Sequence, residues 1–95
     1  MTEALRVVQA ASFRKAVKRR HANQKRAVDQ AVQAVAENPA IGEEKAGDLA
    51  GVRVYKFQMV NQLVLLAYAV APKEPELTLL ALGTHENFYR DLKKR

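Results

Sequence analysis

Cysteine is absent from the 95 residues, which excludes disulfides and thiolate metal sites and is compatible with a reducing compartment. No apolar run approaches the ~20 residues of a membrane span, so no membrane association is expected. Arg6 and Gln9 interrupt the early apolar residues. Signal-peptide architecture is therefore missing, and a cytoplasmic location is the expectation. There is no Walker motif, no GxSxG and no dinucleotide fingerprint. The two histidines stand far apart, without cysteine or a nearby carboxylate pair, and do not make a metal-ligand set. No metal or cofactor is expected. Internal repeats, low-complexity tracts and linkers are missing too, so residues 1–95 read as a single domain.

What is present is positive charge, in two places. The formal charge is +6 and the pI is near 9.9. Arg14, Lys15, Lys18, Arg19, Arg20, Lys25 and Arg26 crowd one region, and Arg90, Lys93, Lys94 and Arg95 crowd the C-terminus. Such a field attracts nucleic-acid phosphates or an acidic protein partner. A solvated helix face is the alternative reading of the same charges.

The apolar pattern divides the chain. Val52–Val60, Leu63–Val70 and Leu77–Gly83 are strand-length runs rich in Val, Leu, Tyr and Phe, bounded by turn chemistry. Their short connections predict an antiparallel meander, because parallel pairing needs a crossover of a dozen or more residues. The middle run is apolar at nearly every position, which suits a central strand covered on both faces. Leu5–Gln9 is a further short β-prone stretch that could join the sheet.

Between them the period is helical. Phe13, Ala16 and Val17 repeat at helical spacing, with Ser12 as the expected N-cap. Asn23 is the expected cap of a second helix, whose stripe is Ala27, Val28, Ala31, Val32 and Val35. Asn38-Pro39 stops that helix, since the residue before proline is pushed out of helical geometry. A helical hairpin is thus expected ahead of the sheet. Residues 41–51 read as a loop with turn glycines, anchored by Leu49. After His85, residues 86–94 read as a short helix with Phe88 and Leu92 inward.

Chemistry concentrates at the end of the last run. His85 follows it directly, in basic surroundings and one helical turn before Tyr89. Imidazole is the side chain best placed to move protons near neutral pH. A helix cap or plain surface residue is the competing reading. Arg53, Lys56, Arg90 and Lys93 could clamp a phosphate, or be ordinary surface charge. Metal-free RNA cleavage needs one group on the ribose 2′-hydroxyl, one on the phosphorane charge and one to protonate the leaving 5′-oxygen. Tyr55, Phe57 and Tyr68 alternate among large apolar residues and read as core, not as a base-stacking platform.

The order of these segments resembles a known family. A short strand, a hairpin ending in Glu37-Asn38-Pro39, a Leu49-Ala50-Gly51 turn, then Val54-Tyr55-Lys56-Phe57, Leu65-Leu66-Ala67-Tyr68 and Leu82-Gly83-Thr84-His85-Glu86-Asn87-Phe88-Tyr89 resemble the RelE/ParE superfamily of type II toxin–antitoxin toxins. The resemblance spans nearly the whole chain. It implies an α+β fold, β-α-α-β-β-β-α, with an antiparallel sheet packed on an N-terminal helical hairpin. It also implies one of two activities, ribosome-dependent mRNA cleavage or poisoning of DNA gyrase by binding; a non-toxic antitoxin-binding module is the third reading.

The Gly83-Thr84-His85 ending is similar to the YafQ-type nucleases. That likeness implies His85 as a proton donor or acceptor and Tyr89 as a contact to the base, and Lys56 falls where many RelE-type sequences have a basic residue. With Arg90 on the phosphate these form the expected catalytic set, and Arg53, Gln58 and Lys93 are the expected substrate contacts. Two departures keep the gyrase alternative open. RelE-type nucleases carry an arginine early in the central strand, where this chain has Gln62-Leu63-Val64. YafQ-type sequences have further His and Asp residues in the hairpin region, where this chain has Gln58 and Asn61. Under either activity, the implied partner is an acidic, amphipathic antitoxin segment; the nuclease adds the ribosome and its mRNA, the poison adds gyrase.

Overall fold

The computed structural model describes residues 6–59, 62–71, 76–84 and 88. In chain order these form β1 (Arg6–Gln9), α1 (Ala11–Lys18), α2 (Ala22–Glu37), β2 (Glu43–Glu44), β3 (Arg53–Met59), β4 (Gln62–Val70) and β5 (Glu76–Thr84). The five strands make one sheet in the order β1-β5-β4-β3-β2. β3, β4 and β5 are the expected antiparallel meander, while β1 joins as a parallel edge beside β5. The α+β fold expected from the sequence is therefore present. The C-terminal helix expected over residues 86–94 lies outside the described residues, apart from Phe88. No described helix is long and apolar enough to cross a membrane.

The helices cover one face of the sheet. Phe13 of α1 and Val28, Ala31 and Val35 of α2 bury against Val64, Leu66 and Tyr68 of β4 and Leu77, Leu79 and Leu82 of β5. The small residues of α2 allow this close approach. A second cluster lies on the opposite face, where Phe88 packs with Val54, Leu65 and Ala67, flanked by Leu49 and Val52. β4 is covered on both faces, as its continuous apolar run requires.

One irregularity decides what faces where. Tyr68 pairs with Leu79, but Ala67 pairs with Ala81, so Leu80 is an extra residue in β5. Side chains alternate along a strand, and one inserted residue reverses their phase. Leu77 and Leu79 face the helices before the bulge, and Leu82 faces them after it. Ser12 donates its hydroxyl hydrogen to Leu80 O at 2.7 Å. That bond corrects its expected role as N-cap. Ala10 holds that position instead, because it is still paired as a strand residue, with its N–H on Leu79 O at 2.9 Å. Likewise α2 starts earlier than expected: His21 is its N-cap, and its backbone N–H bonds Gln24 Oε1 at 3.1 Å.

The segment between α2 and β3 is not a plain loop. It holds a 3-10 turn at Pro39–Ile41, the short β2 and a second 3-10 turn at Gly47–Leu49. Gly47 and Gly51 have positive φ, as turn glycines should. Gly42 is needed for a different reason. The fully buried Tyr68 donates its hydroxyl to Pro39 O at 2.6 Å and accepts the Gly42 N–H at 2.9 Å. A Cβ on Gly42 would stand 2.6 Å from that hydroxyl oxygen.

Burial raises the Tyr68 pKa above its ordinary 10.0, so the folded state favours the protonated phenol. Its contribution to stability is full below pH 10 and is lost as pH rises through the higher folded value. Tyr68→Phe should cost about 2 kcal/mol at neutral pH, by stranding the Gly42 N–H and the Pro39 carbonyl. It should also flatten the loss of stability above pH 10 in urea titrations. Gly42→Ala should cost about 1–3 kcal/mol through the clash with the ring.

Candidate functional site

The register of the meander sets one proposed site residue, Lys56, in the same cross-strand row as Gly83 near the end of β5. Lys56 lies opposite Leu65, and Leu65 lies opposite Gly83. Strands lie about 4.8 Å apart, so Lys56 and Gly83 stand roughly 10 Å from each other across β4. Both belong to the face away from the helices, where a Cβ on Gly83 would lie 3.9 Å from the Phe88 ring. Gln58 is two residues further along β3 and shares that face. Lys56 and Gln58 are exposed. His85, Tyr89, Arg90 and Lys93 lie outside the described residues; His85 is the residue that follows Thr84 at the end of β5.

Arg53 is not brought to this group. It sits at an odd position of β3 and projects to the other side from Lys56. Its guanidinium donates to Gly42 O at 2.7 Å and to Ala40 O at 3.4 Å, and it pairs with Glu44 at 3.6 Å. These contacts hold the same turn that Tyr68 holds. Among the described residues the other ion pairs are Arg6–Glu76 and Lys45–Glu43. The hydrogen bond from Lys45, helped more weakly by the charge of Lys56, keeps the Glu43 carboxyl below the usual carboxylate range. Lys56 thus raises the local positive potential without forming one of these pairs.

A second cationic wall meets the end of β5 from the helix side. Arg19, Arg20 and His21, in the turn between α1 and α2, and Gln24, in the first turn of α2, line a cleft of about 400 Å³ with Leu82, Gly83 and Thr84. Because of the bulge, Thr84 falls in phase with Leu82 on the helix side. Residues 4–28 contain no acidic residue, and none of their cations from Arg14 to Arg26 is ion-paired among the described residues. The local cluster of charge is visible in the sequence. Its contact with the end of β5 is not, since residues more than 60 positions apart meet there. The arrangement can hold a polyanion across the end of β5, with cations on both sides of the strand.

Tyr55 and Phe57 pack on the helix-side core as expected, but only half-buried. Their rings stack with centroids 6.1 Å apart. Tyr68 is wholly interior.

Residues 7–93 match the sequence profile of a family described as ParE-like toxin of type II bacterial toxin-antitoxin system. No curated protein matches the chain. Among solved structures, the RelBE2 toxin–antitoxin complex from Mycobacterium tuberculosis aligns with a TM-score of 0.74 at 15% identity, over 87% of this chain and 100% of that one. The isolated E. coli RelE toxin aligns with a TM-score of 0.68 at 18% identity, over 97% and 98% of the two chains. A YoeB/ParE toxin from Agrobacterium tumefaciens gives 0.67 at 17% identity, over 85% and 99%. At such identities the likeness is one of fold.

The contrast between Arg53 and Lys56 is measurable. Arg53→Met should destabilise the protein by about 1–3 kcal/mol, because it strands carbonyls and a carboxylate around the turn. Lys56→Met should change stability by less than about 0.5 kcal/mol, as for other exposed substitutions. Urea unfolding of the two variants checks both.

Proposed function

The chain belongs to the ParE-like toxins of type II bacterial toxin–antitoxin systems, and on that premise we propose that it arrests growth by cutting mRNA on the ribosome without a metal. The observation that carries this reading is the spare positive charge around the end of β5. Lys56 stands on one side and Arg19 and Arg20 on the other, and His85 is the next residue of the chain.

In this reaction the ribose 2′-hydroxyl gives up its proton to water as its oxygen attacks the adjacent phosphorus, and the bond to the 5′-oxygen breaks. A cyclic phosphate and a free 5′-hydroxyl result. His85 donates the proton that the leaving 5′-oxygen takes. Lys56 and Arg90 neutralise the charge that grows on the phosphorane oxygens. Tyr89 stacks on or positions the base beside the scissile bond. Gln58 and Lys93, with Arg19 and Arg20, hold the flanking backbone. Arg53 serves this site only at a distance, by fixing the turn that borders β3.

One observation favours a second reading, inhibition of DNA gyrase by binding alone. β4 opens on Gln62 and Leu63, both exposed and uncharged, where the RelE-type resemblance implies an arginine. A toxin of that kind would not depend on a proton donor.

In either case the natural partner is an antitoxin whose acidic segment covers Lys56 or His85. The RelBE2 structure is itself a toxin–antitoxin complex.

A paired assay separates the readings: cleavage of mRNA on ribosomes beside DNA supercoiling by gyrase, with one preparation. The expected result is cleavage with supercoiling untouched. His85→Ala should lower the cleavage rate by about 10²–10⁴-fold and Lys56→Ala by about 10²-fold, with folding intact. Intact messages together with blocked supercoiling would replace this reading with the second.

A further inference from the structure

The spare cations of α1 extend beyond the cleft at the end of β5. Arg14, Lys15 and Lys18 are exposed on the side of the helix away from the buried Phe13, and with Ala11 they line a second cleft of about 290 Å³. Lys15 leads to Arg19 one helical turn later, and Arg19 and Arg20 line the first cleft with Gly83 and Thr84. The five cations thus form a ridge that runs along α1 to the end of β5. Among the described residues, none of them makes a side-chain hydrogen bond or an ion pair. Arg14 and Lys18, and likewise Lys15 and Arg19, are like charges one turn apart, which oppose helix formation. An anionic ligand relieves that repulsion.

The make-up of the ridge selects the kind of anion. Its outward cleft is lined by three cations and Ala11, so it offers no large apolar side chain for a protein segment to cover. Contacts to phosphate need no apolar surface. From Ala11 to Lys18 the helix rises about 11 Å, the length of about three nucleotides of one strand. The ridge then turns into the cleft against β5. A stiff double helix does not follow a bend over so short a distance.

We infer that the outward ridge of α1 is an exosite for single-stranded RNA. Arg14, Lys15 and Lys18 hold the phosphates of about three nucleotides on one flank of the bond to be cut. Arg19 and Arg20 lead the same strand into the cleft. These contacts carry no base preference and do no chemistry; they set how long a stretch of RNA the protein grips. The inference rests on the mRNA-cleaving reading and deepens it by extending the bound length of substrate.

The test uses the whole protein and two 2′-O-methyl oligouridylates, of about four and about ten nucleotides, which lack the attacking hydroxyl and are not cut. The longer should bind about tenfold tighter at about 0.1 M salt, and its slope of log affinity against log salt should be steeper by about 2, at about 0.7 for each added phosphate contact. Lys15→Gln/Lys18→Gln should remove most of the length advantage and lower the slope for the longer oligomer by about 1.4. Lys25→Gln/Arg26→Gln takes the same charge from exposed residues that line neither cleft, and should leave the advantage in place. Glutamine forms helix about as well as lysine and arginine, and matching urea midpoints check that both variants fold. Equal affinity of the unaltered protein for the two lengths, or equal losses in the two variants, would overturn the inference. So would tighter binding of a double-stranded RNA of the same length, or displacement of the longer oligomer by an equal concentration of oligoglutamate of the same length. Ribosomal cleavage by the unaltered protein reports on the toxin reading alone, and the uncut oligomers report on the exosite alone, so the failure of either is seen separately.

Discussion

One surplus residue in β5 governs the arrangement of everything near the site. Without the bulge at Leu80, the phase set by Leu77 and Leu79 would carry Leu82 out of the core and send Gly83 into it. With it, Leu82 returns to the helix side and Gly83 lies in the same cross-strand row as Lys56. The bulge leaves the Leu80 carbonyl within reach of α1, and the Ser12 hydroxyl answers it. Helix position and strand phase are therefore set by the same contact.

The positive residues divide into those the fold uses and those it leaves spare. Arg53 holds two carbonyls and a carboxylate around the turn that Tyr68 also grips. Arg6 ties the two parallel strands through Glu76. Lys56, Arg19 and Arg20 make no described ion pair and flank the end of β5 from both sides. Leaving like charges unneutralised costs stability through mutual repulsion, which an anionic ligand removes on binding.

Most of the architecture was legible in the sequence because it is carried by local periodicity. The three β runs, the small-residue stripe of α2 and the stop at Asn38-Pro39 each declare themselves within a few residues. The bulge does not, because Leu79-Leu80-Ala81-Leu82 is apolar throughout and hides a change of phase. Ser12 looks locally like a cap, and only a strand 68 positions away shows its true acceptor. Arg53 and Lys56 look alike as strand cations; their separation depends on carbonyls at Ala40 and Gly42, which a non-local turn supplies. For the chemistry, simple alternation along a strand puts Lys56 and Gln58 on one face. The roles of His85, Tyr89, Arg90 and Lys93 rest on the family resemblance and on their place after β5.

The proposed cleavage depends on the ribose 2′-hydroxyl as the attacking group, served by side chains around the end of β5. The most direct measurement is the fate, on translating ribosomes, of messages carrying a single 2′-deoxynucleotide at the position where the all-ribose message is cut. This one substitution should abolish cutting there, and the all-ribose product should end in a cyclic phosphate facing a free 5′-hydroxyl. Cutting that persists at the deoxy position would contradict it.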